Sequence, residues 1–289
     1  MVFAQVPFAR EIRPARLGLE LASLRILLTN DDGFQAPGLQ TLYRALSGDS
    51  SHQVSVVAPE GQKSATGHAI TLFEPLFVKE EKLPDGAKGF AVRGTPSDCV
   101  KIAIQGELIE RPELVISGIN RGPNLGTDVF YSGTVSAAME GVLLGIPSLA
   151  VSLASFDFPD FGPAAAFVVD FLNRSPVVSE AGLLNINIPG SPPASWRGIK
   201  VTRLGKALYA NVFESRVDHH GRRYFWQAGD LLEDETEGTD LHALQQSYIS
   251  ITPLHSDLTD YARLPCLHER IHSSSKSKKW EHNCGCTPL

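Results

Sequence analysis

The chain has 289 residues, enough for one large domain or two smaller ones, and its 43% apolar and 20% charged residues are an ordinary globular balance. The 32 acidic against 26 basic side chains leave a formal net charge of −6, which argues against a nucleic-acid polymer as main partner because such binding needs a positive field. No run of 18 apolar residues occurs, which argues against a membrane-spanning helix, and three of the four cysteines crowd into the last 24 residues, so no disulfide framework spans the body and a reducing, cytoplasmic setting fits.

Residues 1–23 carry Arg10, Glu11, Arg13, Arg16 and Glu20 but no apolar stretch of signal-peptide length, and read as a poorly ordered extension. Arg25 to Thr29 is an apolar run ended by Asn30-Asp31-Asp32-Gly33, a buried strand running into a loop. Pro37 to Leu46 repeats Leu39, Leu42, Tyr43 and Leu46 at helical spacing, with Pro37 suited to the first turn. Val54 to Ala58 is a second buried strand stopped by Pro59. Strand, loop, helix and strand within about 35 residues form the βαβ signature of a parallel sheet. Gly61 to Phe90 reads as loop plus excursion strands. Thr95-Pro96-Ser97-Asp98 opens a helix, Leu114 to Ser117 is a strand, and Ser132-Gly133-Thr134 precedes a small-residue helix over Val135 to Leu144. Pro147 to Ser152 is a strand, Ala164 to Leu172 a helix, and Leu184 to Ile188 a strand.

The pattern changes after Pro189. Ile199 to Leu204 and Asn211 to Val217 alternate as strands, and Asp218-His219-His220-Gly221 is a turn before Arg222 to Gln227, together an extended antiparallel hairpin. A short helix or turn at Asp240 to Leu244 and a strand at Tyr248 to Thr252 follow. From about Leu264 serines and lysines appear without an apolar period, so 264–289 reads as a flexible tail. His282, Cys284 and Cys286 within it match no strong zinc spacing. The expected organisation is an extension over 1–23, a main α/β domain over 24–263 with its core at about 24–189, and the tail.

In parallel α/β sheets ligands bind beyond the carboxyl ends of the strands. The loops expected there hold Asp31 and Asp32, Ser64, the run Ser117 to Gly126, and Tyr131-Ser132-Gly133-Thr134. Adjacent carboxylates with serine and asparagine oxygens are hard donors suited to Mg²⁺ or Mn²⁺. The same Asp pair also reads as a solvated turn or helix cap. Ser132 to Thr134 ahead of a helix offers backbone N–H groups and a positive dipole end to an anion, or equally an ordinary N-cap. GxxxxGK[ST] is absent, GxGxxG is absent after the first strand, and no GxSxG elbow occurs. Aligned with the DxD of haloacid-dehalogenase-like phosphatases, the nucleophile position holds Asn30. His68, His219, His220 and His242 are scattered and read as surface or hydrogen-bonded residues.

Ile26 to Gly33 followed by Ala36-Pro37-Gly38 resembles the opening of the SurE family (survival protein E), the metal-dependent 5′-nucleotidases. The runs Ser117 to Gly126 and Tyr131 to Ala138 resemble its central signatures, and Gly94 to Cys99 and Ser250 to Leu254 fit as well, so the resemblance covers about Leu24 to Thr259. It implies a Rossmann-like three-layer fold with a mainly parallel sheet, a projecting hairpin and a C-terminal segment used for homodimers or homotetramers. It implies hydrolysis of nucleoside monophosphates by metal-activated water, with one divalent cation per subunit. The family's metal ligands fall on Asp31, Asp32, Ser64 and Asn120, the first two also being the catalytic pair. Its phosphate contacts fall on Asn120 and on the backbone of Ser132, Gly133 and Thr134. Side activity toward 3′-nucleotides and polyphosphate, hydrolysis of another small phosphoester, and nucleotide binding without turnover stay open. One departure stands out: the family's Pro-Asp-Arg-Asn-Arg-Ser loop reads Pro59-Glu60-Gly61-Gln62-Lys63-Ser64, leaving Lys63 as its one base.

Overall fold

The computed structural model describes residues 23–48, 52–157, 160–174, 182–207, 209–210, 213–227, 229–231 and 236–273. The extension over 1–22 and the tail residues His282, Cys284 and Cys286 lie outside the described residues. The chain builds a nine-stranded sheet from β1 (Arg25–Thr29), β2 (Gln53–Pro59), β3 (Phe77–Lys82), β4 (Lys88–Arg93), β5 (Leu114–Arg121), β6 (Ser148–Ala154), β7 (Leu183–Pro189), β8 (Ile199–Val201) and β13 (Ile249–Leu254). Their order across the sheet is β3-β4-β2-β1-β5-β6-β7-β13-β8. The core from β4 to β7 is parallel throughout. β3 and β13 enter antiparallel to β4 and β7.

Both faces of the sheet are covered, which is why β1 reads as an unbroken apolar run. Ile26 and Leu28 pack on one side with Leu39, Leu42 and Leu46 of α1 (Pro37–Gly48) and Ala164, Val168 and Leu172 of α4 (Gly162–Arg174). Leu27 points the other way, into a cluster with Cys99, Val100 and Ala103 of α2 (Pro96–Gln105) and Ala137 of α3 (Gly133–Leu143). The result is the expected α/β three-layer arrangement.

α2 starts where its sequence says it should. The Thr95 hydroxyl accepts the Asp98 N–H at 3.1 Å and Asp98 Oδ2 accepts the Thr95 N–H at 2.9 Å, a complete capping box with Pro96 in the first turn. Asp98 does a second job. It accepts the Thr71 N–H at 2.9 Å and the Thr71 hydroxyl at 2.6 Å, which ties the long excursion between β2 and β3 to the helix.

Two expectations need correction. β5 does not stop at Ser117 but runs to Arg121, because one extra residue is absorbed between the pairs Ser117–Ala150 and Asn120–Ser152. Gly118 makes this bulge possible: its φ is +150° and a Cβ there would lie 2.5 Å from the Val151 carbonyl oxygen. The start of the tail is not irregular either. Residues Leu264–Ser273 form α6, in which Leu264, Leu267 and Ile271 recur at helical spacing between charged residues that hide the period.

After β8 the chain leaves the sheet as a hairpin. β10 (Phe213–Val217) pairs antiparallel with β11 (Arg223–Gln227), and β9 (Tyr209–Ala210) with β12 (Asp230–Leu231) continues the same register. Asp218 closes the turn by accepting the N–H groups of His220 and Arg222. β10 and β11 are exposed along their length, Phe225 and Trp226 included. The short α5 (Asp240–Gln245) returns the chain to β13. No helix among the described residues is long and apolar enough to cross a membrane.

Burial raises the Asp98 carboxyl's pKa, but the donors from Thr71 and Thr95 outweigh it and hold the group below the usual carboxylate range. A lowered folded pKa gives stability that is present above the unfolded value and lost as pH falls through the folded one. Asp98→Asn should therefore cost about 0.5–2 kcal/mol at neutral pH. The gap from wild type should shrink as the medium is acidified below the carboxylate range, read as denaturation midpoints across pH.

Candidate active site

The order of the sheet reverses beside β1. From β1 the chain passes through α1 to β2 on one side, while β5 flanks the other side and continues through α3 to β6. Crossovers leaving in opposite directions put α1 and α3 on opposite faces and open a crevice at the carboxyl ends of β1 and β5. The register pairs Thr29 with Ser117, so the loops after these strands emerge side by side.

The first loop is a turn clamped by Asn30, which is fully buried. Its Nδ2 donates to the Gly33 carbonyl at 2.9 Å and its Oδ1 accepts the Gly33 N–H at 3.2 Å. The clamp throws Asp31 and Asp32 forward. Asp31 Oδ1 accepts the Thr134 hydroxyl at 2.5 Å, and Asp32 Oδ2 accepts the Arg121 N–H at 3.2 Å. Both carboxylates are thus held in place by protein donors. Burial pushes Asp31 up to about 6, with the Thr134 hydroxyl opposing and the Asp32 charge adding. Burial also raises Asp32, with the Arg121 N–H and charge opposing.

The loop after β2 is tied to the same turn. The Lys63 N–H donates to the Asp31 carbonyl at 2.7 Å and Gln62 Nε2 donates to Ser64 Oγ at 3.0 Å. From the other side, the bulge in β5 brings Asn120 round. Asn120 Nδ2 donates to the Gly122 carbonyl at 2.8 Å, which uses the amide nitrogen and leaves its oxygen as the donor for a cation. Asp31, Asp32, Ser64, Asn120 and Ser132 line one cleft of about 340 Å³. The donors are all oxygens, and the combination of two carboxylates, a hydroxyl and an amide carbonyl fits a hard divalent cation.

α3 closes the cleft with its N-terminus. Ser132 is an ordinary N-cap, its hydroxyl accepting the Val135 N–H at 3.0 Å, and its own N–H donates to the Asp128 carbonyl. Thr134 gives both hydroxyl and backbone N–H to Asp31. Gly133 stands at the first helical position, where an N–H has no intrahelical acceptor. A Cβ at Gly133 would lie 2.7 Å from Asp31 Cβ and 3.1 Å from Pro96 Cγ, so only glycine lets this turn approach the aspartate so closely. The hydroxyls of Ser132 and Thr134 are therefore already engaged, and Gly133 brings the helix end to the acid.

Several residues that matter here were given no role by the motif reading, although Arg121 and Asn124 lie within the Ser117 to Gly126 run. Among the described residues the one basic side chain lining the cleft is Arg121; Lys63 donates its backbone N–H to Asp31 and is exposed. Asp128 lines the cleft and its carboxylate accepts a hydrogen bond from the Tyr209 hydroxyl at the hairpin base, where burial and the Asp128 charge raise the phenol's pKa. Asn124 is buried and held by three strand residues: its Nδ2 donates to Ser152 Oγ, its N–H to Asn187 Oδ1, and its carbonyl accepts from Asn185 and Asn187. Asp240, fully buried on α5, accepts the N–H groups of Gly126 and Gly205 at 2.8 Å each and that of Leu241 at 3.0 Å. Polar residues on strands that alternate into the interior were the available signal for Asn185 and Asn187; Asp240 had none beyond its place at a helix start. Of His68, His219, His220 and His242, His68 is the one paired with a buried carboxylate, with Nε2 2.8 Å from Glu140, which Lys101 also reaches at 3.0 Å. With the Gly67 N–H on the Tyr131 carbonyl, that cluster anchors the far end of the Ser64 loop.

Removing the Asp240 carboxylate strands three buried N–H groups, so Asp240→Ala should lower unfolding free energy by on the order of 3 kcal/mol, measured by chemical denaturation. Asp240→Asn, which keeps one acceptor, should fall between that variant and wild type.

Known proteins similar to this chain identify its family and match its fold. The family profile described as "Survival protein SurE" matches residues 26–211. The 5′-nucleotidase SurE of Desulfitobacterium hafniense strain Y51 is 58% identical over 255 residues, covering 88% of this chain and all of the relative. That of Pelotomaculum thermopropionicum is 49% identical over 264 residues, covering 89% and 97%. Among solved structures, the SurE protein from Aquifex aeolicus superposes with a TM-score of 0.72 at 39% identity, covering 86% of this chain and 99% of that one. A matched profile across the sheet core, relatives matched over nearly their full length and a shared architecture lead to one conclusion: the chain belongs to the SurE family.

Proposed function

We propose that the cleft is the active site of a divalent-metal-dependent phosphatase that converts nucleoside monophosphates to nucleoside and phosphate. The observation that carries this reading is the meeting, at the β1/β5 switch point, of oxygen donors from three loops with the N-terminus of α3. The names of the curated relatives, 5′-nucleotidase SurE, support the substrate class.

In this proposal Asp31, Asp32, Ser64 and Asn120 hold one Mg²⁺ or Mn²⁺. When bound, such a cation supplies Lewis-acid polarisation of a phosphoryl oxygen and a lowered pKa for water. The chain's own residues do the rest. The Gly133 N–H and the positive end of α3 face the phosphate, with the Asn120 amide beside it, and favour the negative charge that grows as the ester breaks. Arg121 supplies a counter-charge in a cleft that otherwise presents Asp31, Asp32 and Asp128. Without cations three carboxylates would repel a phosphate dianion, so substrate and metal affinity are coupled through this charge balance. Thr134 fixes the Asp31 rotamer, and Asn30 fixes the turn.

The proposal extends to assembly and place. A second copy of the chain covers the exposed hairpin, which carries Phe225 on one face and Trp226 on the other, giving a homodimer or homotetramer. The enzyme acts in the cytoplasm, in keeping with Cys99 as the one buried thiol among the described residues.

The test is phosphate release from AMP and GMP by chelator-stripped protein, with and without added Mn²⁺ or Mg²⁺. Release restored by metal is expected; none from folded, metal-supplied protein would overturn the reading. Asp32→Asn should lower phosphate release by about a hundredfold or more and weaken Mn²⁺ binding, with the thermal midpoint little changed. Full turnover by metal-loaded Asp32→Asn would remove this residue from the site. Gly133→Ala should cost about 1–3 kcal/mol of stability by overpacking against Asp31 and Pro96, and should impair Mn²⁺ binding as Asp31 is displaced. A calorimetric titration with Mn²⁺ and a thermal melt read both effects.

A further inference from the structure

The mouth of the cleft carries two aromatic rings that the phosphate chemistry does not use. Phe156 follows β6 and Tyr131 precedes α3, so they reach the same cleft from different loops. Both are largely in water, Phe156 66% and Tyr131 68% exposed. The Phe156 ring and the Tyr131 backbone are each held in place. The Phe156 ring lies against the backbone of Gly122: a Cβ at that glycine would sit 2.3 Å from Phe156 Cε1. Gly122 is itself fixed, its N–H donating to the Leu153 carbonyl at 2.9 Å and its own carbonyl accepting from Asn120. The ring therefore rests on the loop that presents Asn120. Tyr131 is pinned at both ends of its residue, its N–H on the Asp128 carbonyl and its carbonyl accepting from Gly67.

We infer that Phe156 and Tyr131 form an aromatic platform on which the nucleobase of a nucleoside monophosphate lies while its phosphate sits among the acids. The inference rests on the phosphatase reading and adds how the far end of the substrate is recognised. The remaining lining of the cleft is polar or small, so these rings are its flat apolar surfaces. A ligand that is anionic at one end and flat and aromatic at the other matches that division. Stacking is tolerant, because every base offers a π-face. Phe156 brings no hydrogen-bonding group and Tyr131 only its phenol. Such a platform selects nucleotides over sugar phosphates with little choice among bases.

The experiment compares kcat/KM for AMP with that for ribose 5-phosphate, which has the sugar and phosphate but no base, in wild type, Phe156→Ala, Tyr131→Ala and Phe156→Trp, with Mn²⁺ present. Wild type should prefer AMP. The preference should fall by about five- to a hundredfold in each alanine variant, the range for loss of one base–aromatic stack. Phe156→Trp, which keeps a flat ring, should retain it. A preference unchanged in both alanine variants overturns the platform, as does a wild type that treats the two substrates alike while releasing phosphate from both. The latter result leaves the phosphatase reading standing. A wild type that releases phosphate from neither overturns that reading, and the platform is then judged by the dissociation constants of AMP and ribose 5-phosphate: equal values in wild type sink it, and a preference lost in Phe156→Ala upholds it.

Discussion

A carboxylate withdrawn from water has to be held by donors, and the candidate site depends on how Asp31 meets this requirement. The donors come from the first turn of α3, through the Thr134 hydroxyl and backbone N–H. That contact joins the end of the central strand to the start of a helix about a hundred residues later in the chain. It works only because Gly133 lacks a side chain at the point of closest approach. The helix end, the acid and the glycine are one device. The same contact that would orient a metal ligand also brings a positive helix terminus to the place where a phosphate would sit.

The loops around this contact are built to be rigid. Loops normally lie in water because their backbone polar groups need partners. Here the segment from Asn120 to Ser132 enters the interior and finds partners in side chains. Asn124 is paired with Ser152, Asn185 and Asn187, and Asp240 accepts from Gly126 and Gly205. Buried polar networks are costly when half made and rigid when complete. Around Asn124 the N–H, the carbonyl and the side-chain Nδ2 are all paired, Asn185 Oδ1 alone in this group is left without a partner, and Asn124 itself forms part of the cleft lining. The bulge at Gly118 and the Asn30 clamp do comparable work on either side. A cation and a phosphate can be positioned to a fraction of an ångström only by side chains whose own surroundings are settled.

The hairpin stands apart from this rigidity, yet it is attached to the site. Tyr209 at its base donates to Asp128 in the cleft wall, while its tip strands leave aromatic residues exposed. The Tyr209–Asp128 hydrogen bond thus links the base of the hairpin to the wall of the cleft.

The order of apolar and polar residues was enough to read the βαβ opening, the parallel sheet core, the capped start of α2 and the hairpin, because each is a local pattern of period or cap. The family motifs located Asp31, Asp32, Ser64, Asn120 and the start of α3 on separate stretches of chain. Sequence left α6 unread, since charged residues interrupt its apolar stripe, and ended β5 too early, since a bulge has no periodic signature. Sequence marks Lys63 only as the one base left in the Ser64 loop, whereas Arg121, at the end of β5, is a basic residue that lines the cleft. Which side chains share a cleft is a property of strand order, register and close approach. Asn185, Asn187 and Asp240 look unremarkable in sequence and become structural keystones only when strands and helices far apart in the chain leave their buried amides without water.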